Sequence, residues 1–280
     1  MKRALLIAGL LGTFVISAGI AEARFEPGLN RVAADKGEIF RQGCLLGSRK
    51  VASGPCRFGD PESKKKVVLF GDSHAMHWGP GLIRLAKAKG WQVIALTRAS
   101  CPAALVSVDF FCDTWRRKAL RRIRLMRPGL TVVASAAHRD AYEVLVNGYG
   151  VDRYSSEPYL VNGMVQTLRR LRTWSRKTVV LRDQAVTPFN VTSCLRSSPV
   201  RPARCGFRPQ RPREFAYDYK ATRRVRGVPL IDPQPMLCPD GWCLPVQNNI
   251  LVYRNFGHLS ATFTRSKHQW LGYKLGDPWR

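Results

Sequence analysis

The chain has 280 residues, 45% of them hydrophobic, which excludes a disordered polymer and leaves room for one medium domain or two small ones. Lysine and arginine (46) far outnumber aspartate and glutamate (19), for a net charge of +27. In a cytosolic chain that excess would point to nucleic acid; in an exported one it points to acidic envelope polymers or anionic lipid, or to an arginine-rich composition with no specific partner.

The N-terminus decides between those compartments. Lys2 and Arg3 precede an apolar run from Ala4 to Ile20, followed by Ala21-Glu22-Ala23, the three parts of a secretory signal over residues 1–23. The rival reading is a membrane anchor. As a helix the run would reach about 26 Å, short of the roughly 30 Å hydrocarbon core. Both readings export the rest of the chain to the periplasm or cell surface, so nucleic acid is not an expected partner. The alternatives are an anionic polymer or lipid surface, or no specific partner.

Eight cysteines lie at 44, 56, 101, 112, 194, 205, 238 and 243, in four close couples. Exported chains with even cysteine counts usually oxidise them. Of the roughly 105 connectivities eight cysteines allow, pairing sequence neighbours is the simplest. Each short loop would then stabilise by about 2–3 kcal/mol in the entropic model. A zinc site is disfavoured, because no C-x2-C pair occurs.

Residues 24–60 are polar and contain Gly and Pro, and read as an irregular, disulfide-linked lead-in to a domain over 61–280. Lys64-Lys65-Lys66 then gives way to Val67-Val68-Leu69-Phe70, a short apolar run that reads as a buried strand. A helix is predicted from Pro80 to Lys89, with Leu82, Ile83, Leu85 and Ala86 at helical spacing and Gly90 as its stop. Gln92–Leu96 is a second strand. A basic helix over Trp115–Met126 ends at Pro128-Gly129, and Leu130–Ala134 is a third strand. A helix over Val161–Trp174 precedes a fourth strand at Thr178–Leu181, and Val228–Asp232 is a fifth. A last helix is expected over Ser260–Leu271. Apolar strands alternating with amphipathic helices predict an α/β, three-layer sandwich around a central parallel five-stranded sheet.

Ligands in such sheets sit beyond the carboxyl ends of the strands. After the first strand stands Gly71-Asp72-Ser73-His74. A serine on a glycine-assisted turn into a helix presents its hydroxyl to the crevice, and its own amide at the helix N-terminus can stabilise an oxyanion. Such a hydroxyl is inert until a base takes its proton. Among the histidines at 74, 77, 138, 258 and 268, His258 is the candidate base, since Tyr253-Arg254-Asn255-Phe256-Gly257-His258-Leu259-Ser260 can bring it back over the same sheet end. His74, adjacent to the serine, should point elsewhere. His74 and His77 form an H-x-x-H without an evident third ligand, so no metal is expected, and His138 reads as a surface residue or a donor to the oxyanion. Asp72 should bond amides of its own turn.

Together these segments resemble the SGNH/GDSL hydrolase superfamily, and more narrowly the C-terminal SGNH domain of bacterial acyltransferase-three O-acyltransferases. The resemblance rests on residues 67–82 (VVLFGDSHAMHWGPGL), on Ala99-Ser100-Cys101-Pro102 with Cys112, and on Thr187-Pro188-Phe189 leading to Cys194-Leu195. Leu237-Cys238 to Cys243 and His258-Leu259-Ser260 complete it. It implies a flavodoxin-like SGNH hydrolase fold, Ser73 as nucleophile, His258 as base, and an oxyanion turn made by Gly71, Asp72 and the Ser73 amide, with no cofactor. It further implies an O-acyl, usually O-acetyl, envelope polysaccharide as substrate and a membrane acyltransferase as partner. The position three before the histidine, aspartate in the family's D-x-x-H pattern, is Asn255 here. An asparagine orients an imidazole but does not stabilise its charged form as a carboxylate does. Three outcomes follow: another acid such as Asp232 substitutes, the site runs as a Ser73–His258 dyad, or the fold serves as a glycan- or polyanion-binding module or accessory subunit.

Overall fold

The computed structural model describes residues 25–47, 49–138, 141–209 and 216–280, so the predicted signal or anchor over 1–23 lies outside the described residues. Strand β1 (Leu45–Leu46) follows a short helix α1 (Glu38–Arg41), and β2 (Arg57–Gly59) follows β1. The five predicted strands appear as β3 (Lys66–Gly71), β4 (Gln92–Arg98), β5 (Leu130–Ala134), β8 (Lys177–Leu181) and β9 (Leu230–Ile231). Between β5 and β8 lies a small hairpin of β6 (Val144–Val146) and β7 (Tyr149–Val151).

The predicted five-stranded sheet has seven strands. Its order is β1-β4-β3-β5-β8-β9, with β2 also on β4. The five predicted strands are parallel and run in the order second, first, third, fourth, fifth, the doubly wound arrangement whose ligand crevice opens between the first and third strands. The two additional strands come from the lead-in. β1 pairs with the carboxyl end of β4 and β2, antiparallel, with its amino end, so these two strands cover an edge that would otherwise be open. Cys44–Cys56 ties these two segments, and the other couples also close as predicted, at 101–112, 194–205 and 238–243.

Alternation along each strand builds two cores. Val67 and Leu69 face one side, against Trp78 and Leu82 of helix α2 (Ser73–Lys89) and Phe263 of the C-terminal helices. Val68 and Phe70 face the other, against Trp115 and Ile123 of α3 (Phe110–Met126) and Leu168 of α4 (Glu157–Trp174). Among the described residues no helix is long and apolar enough to cross a membrane.

Three helices begin earlier than their apolar spacing indicates. α2 starts at Ser73 rather than Pro80 because Asp72 caps it, accepting the His74 amide at 2.8 Å, and Pro80 is carried inside the helix. Asp109 caps α3 in the same way, accepting the amides of Phe111 and Cys112. α4 gains a turn starting at Glu157-Pro158, where proline suits the first positions of a helix. Short helices α5 (Val191–Ser197), α6 (Tyr217–Arg223) and α7 (Gln234–Leu237) and a hairpin of β10 (Val246–Gln247) and β11 (Ile250–Leu251) lead to the C-terminal part. The single last helix predicted there is two, α8 (Ala261–Ser266) and α9 (His268–Leu275), broken at Lys267 so that both lie on α2.

Gly71 ends β3 with φ +149°, and a Cβ there would stand 1.7 Å from the carbonyl oxygen of Ala134 on β5. No side chain fits without parting the strands that frame the crevice. Gly71→Ala is expected to cost about 3 kcal/mol or more, against about 1 kcal/mol for Gly90→Ala at the open C-cap of α2, measured as shifts in the urea midpoint.

Candidate active site

Ser73 is the first residue of α2, directly beyond the carboxyl end of β3, where helix amides have no intrahelical acceptor. His258 arrives from the other end of the sequence. The Arg254 amide bonds the His258 carbonyl at 3.0 Å, closing residues 254–258 into a tight loop. The segment after β8 clamps that loop: the Thr187 amide donates to Phe256 O at 2.8 Å, and Gln184 Nε2 to Gly257 O at 2.7 Å. Behind it Leu259 is fully buried, and Ser260 caps α8 by accepting the Phe263 amide at 3.1 Å. The His-Leu-Ser tripeptide is thus a site residue, a core anchor and a helix cap in succession.

The two ends meet. Ser73 Oγ and His258 Nε2 are 2.8 Å apart, and His258 Nδ1 lies 2.9 Å from Asn255 Oδ1. The same Oδ1 accepts the amides of Gly257 (3.2 Å) and His258 (2.9 Å), which fixes which face of the Asn255 amide is oxygen. An oxygen opposite Nδ1 requires the proton there, leaving the Nε2 lone pair for the serine hydroxyl. Asp232, the other acid considered, is engaged by Arg182 at 3.0 Å and by the Gln234 amide, and the Nδ1 partner is Asn255. Of the predicted turn, Gly71 clears Ala134 and Asp72 caps the helix. Asp72 reaches beyond its own turn, accepting the Ala136 amide at 3.1 Å and the Tyr142 hydroxyl.

His74 does not point away from the site. Its Nδ1 lies 2.6 Å from the Asp183 carboxylate in a buried ion pair, and its ring centroid is 4.8 Å from that of His258. Burial opposes its charged form, but the Asp183 carboxylate outweighs burial and raises His74 to about 8. Asp183 is also buried; its pairing with His74, together with His138, overcomes the burial penalty and holds it below the usual carboxylate range. It also accepts the Ala137 amide at 2.8 Å. His138 stands 3.9 Å from Asp183, at the edge of this group rather than on a remote surface. His77 lies edge-on to His258 at 6.0 Å, with both ring nitrogens buried and unbonded; burial, then His74 and His258, push it well down and keep it neutral. Burial, then the charges of His74 and Arg254, push His258 down to about 3. Among the described residues no group of histidine, cysteine or acidic side chains is arranged to hold a metal ion.

Sequence reasoning passed over Asp183 and misdirected His74. The available signal was positional: Asp183 comes two residues after a predicted strand, at the sheet end where Asp72 also follows one.

A family model described as "SGNH domain (fused to AT3 domains)" matches residues 43–266. No curated protein matches the sequence. Among solved structures, the periplasmic domain of the lipopolysaccharide acetyltransferase of Salmonella ser. Paratyphi A aligns over 92% of this chain and 97% of its own, with a TM-score of 0.59 and 15% identity, and shares the fold. A carbohydrate esterase family 2 enzyme with a carbohydrate-binding domain from Corynascus thermopiles (Myceliophthora fergusii) aligns over 78% of this chain and 68% of its own, at TM-score 0.46 and 12% identity. An acetyl xylan esterase of the rumen bacterium Butyrivibrio proteoclasticus gives 77% and 66%, at 0.37 and 13%.

The His74–Asp183 pair predicts a stability signature. His74 titrates higher folded (about 8) than unfolded (about 6.5), so its contribution is complete below pH ~6.5 and is lost as pH rises through about 8. His77 and His258, shifted the other way, change stability only below pH ~6.5. The thermal midpoint is therefore expected to fall between pH 6.5 and 8.5 in the wild type and to fall less steeply over that window in His74→Gln.

Proposed function

Since the chain belongs to the family of SGNH domains fused to AT3 domains, we propose that it is an exported serine esterase or O-acyltransferase acting on O-acyl, chiefly O-acetyl, groups of cell-envelope polysaccharide. The observation that carries this reading is the 2.8 Å contact between Ser73 Oγ and the unprotonated Nε2 of His258 at the N-terminus of α2. Four disulfides accord with an oxidising, extracytoplasmic compartment.

In this mechanism Ser73 Oγ attacks the acyl carbonyl carbon while its proton passes to His258 Nε2. The carbonyl oxygen, now an oxyanion, is met by the Ser73 amide and the positive end of α2. Collapse breaks the ester bond, and the departing sugar oxygen takes the proton from Nε2. Water, or another sugar hydroxyl, then attacks the acyl-serine, giving up its proton to the same nitrogen, and Ser73 is regenerated. Water as acceptor makes the protein an esterase. A sugar hydroxyl makes it a transferase, with acyl groups supplied by a membrane acyltransferase partner.

Electrostatics sets the rate. His258 is neutral throughout the physiological range and so is always available as a base, but each turnover must place a proton on it beside charged His74. Asn255 holds the ring without compensating that charge, unlike the carboxylate of a full triad. The same observation favours a second reading, in which the crevice binds acylated glycan with little turnover, as a binding module or accessory subunit.

A fluorophosphonate probe separates the two: the catalytic reading requires covalent labelling of wild type and none of Ser73→Ala. Turnover of a chromogenic acetyl ester should fall about 10²-fold or more in that variant. Asn255→Asp keeps the three bonds to its Oδ1 and adds a charge, so kcat/KM is expected to rise by roughly 10²–10⁴-fold, and the acid limb of its pH profile should move upward. An unlabelled wild type, with no gain in Asn255→Asp, would leave the binding reading.

A further inference from the structure

At the opposite end of the sheet from Ser73, roughly 20 Å away along β3, the strand starts surround a cavity of about 470 Å³. Six bases line it: Arg57 of β2, Lys64 and Lys66 at the entry to β3, Arg122 and Arg127 at the end of α3, and Arg176 before β8. Glu62 is the one acid in the lining, and none of the six bases forms an ion pair with it or with any other described carboxylate. One of these charges is also held in place. Arg122 donates to the carbonyls of Gly54 (2.7 Å) and Pro55 (2.9 Å), which pins the loop before β2 without neutralising the guanidinium. Burial, and after it the like charge of Arg57, lower the proton affinity of Arg122. Holding so many like charges around one hollow is unfavourable in the free protein, and an anion entering it relieves the repulsion.

The hollow has an aromatic wall. Trp279, half-buried, lines it and is backed by the buried Trp91 at 5.2 Å, while Lys65 Nζ stands 6.0 Å from its ring. Arg57, Lys64, Arg127 and Arg176 are exposed around the rim, and Lys66 and Arg122 are half-buried within it. A flat lipid surface would meet the rim but not the interior, where Lys66 and Arg122 stand beside the buried Gln92 and the volume is that of a small-ligand site. An aromatic ring beside a ring of cations suits a sugar ring carrying an acidic group.

We propose that this cavity is a second binding site, for an acidic sugar unit bearing a carboxylate or phosphate within an anionic polysaccharide. The site does not depend on the chemistry assigned to Ser73. A protein that grips an acidic polymer at the amino end of its sheet would hold neighbouring parts of that polymer near the carboxyl end.

Binding of polygalacturonate, neutral dextran, inorganic phosphate and phosphatidylglycerol vesicles to the purified protein tests this. Polygalacturonate should bind and weaken with added salt, and dextran should not bind. The charge-reversed variant Lys64→Glu/Arg127→Glu/Arg176→Glu is expected to lose about tenfold or more in polygalacturonate affinity. Arg153→Glu/Arg169→Glu/Arg223→Glu, with the same change of net charge on exposed sites outside the cavity, should lose less than about threefold. Trp279→Ala should weaken polygalacturonate and leave phosphate unaffected, and acetyl-ester turnover should be the same in all these proteins. Equal losses in the two triple variants would show attraction by bulk charge alone and overturn the proposal. So would polymer binding no tighter than free phosphate, or binding confined to the anionic vesicles.

Discussion

Three carboxylates, Asp72, Asp183 and Asp218, are buried at the carboxyl end of the sheet, and the geometry of the crevice follows from how their charges are met. A buried carboxylate without donors costs several kcal/mol, so each must draw backbone or side-chain donors to itself. Asp72 takes amides from the start of α2 and the end of β5, Asp183 takes the next amide after β5 together with His74, and Asp218 takes the Asp183 amide. The loops after three strands and one helix terminus are thereby tied into a single net. Ser73 sits between two of its members, and the segment that begins at Asp183 goes on to clamp the loop bearing His258.

The net also sets the charge around the reacting atoms. Asp183 raises the proton affinity of His74, and burial, then that neighbouring charge, lowers the proton affinity of His258. In an SGNH site with a D-x-x-H carboxylate, that penalty would be offset on the Nδ1 side. Asn255 offers the same geometry through its carbonyl oxygen and no offset. Under the proposed mechanism the site combines accurate alignment with weak activation, and a positive field that suits an oxyanion better than an imidazolium.

The two ends of the parallel sheet divide the chemistry between them. The carboxyl end gathers four histidines and the buried acids, at the topological switch point where doubly wound folds place ligands. The amino end gathers unpaired bases around Trp279, the destination of part of the +27 net charge. The lead-in joins both: β1 abuts the carboxyl end of β4, and Arg57 of β2 contributes to the basic hollow.

Much of this was legible in the sequence because it depends on local pattern. Apolar runs bounded by turn residues marked five of the six parallel strands, and close cysteine couples marked all four disulfides. Helix starts were less legible, since α2 begins at a capping carboxylate seven residues before its apolar spacing becomes regular. The lead-in strands were illegible because β1 and β2 are too short to show a period, and exist only because β4 offers them an edge. That Ser73, His258 and Asn255 would meet could be expected from motif and topology, and they do meet. The His74–Asp183 pair spans 109 residues and carries no motif, so only the folding of β8 beside β5 brings the two together. The sequence by itself determined which atoms are available for nucleophilic chemistry, because residue type and strand-end position are local properties. The tertiary structure alone decided how well those atoms are activated, because proton affinities depend on burial and on charges that neighbour one another only in space.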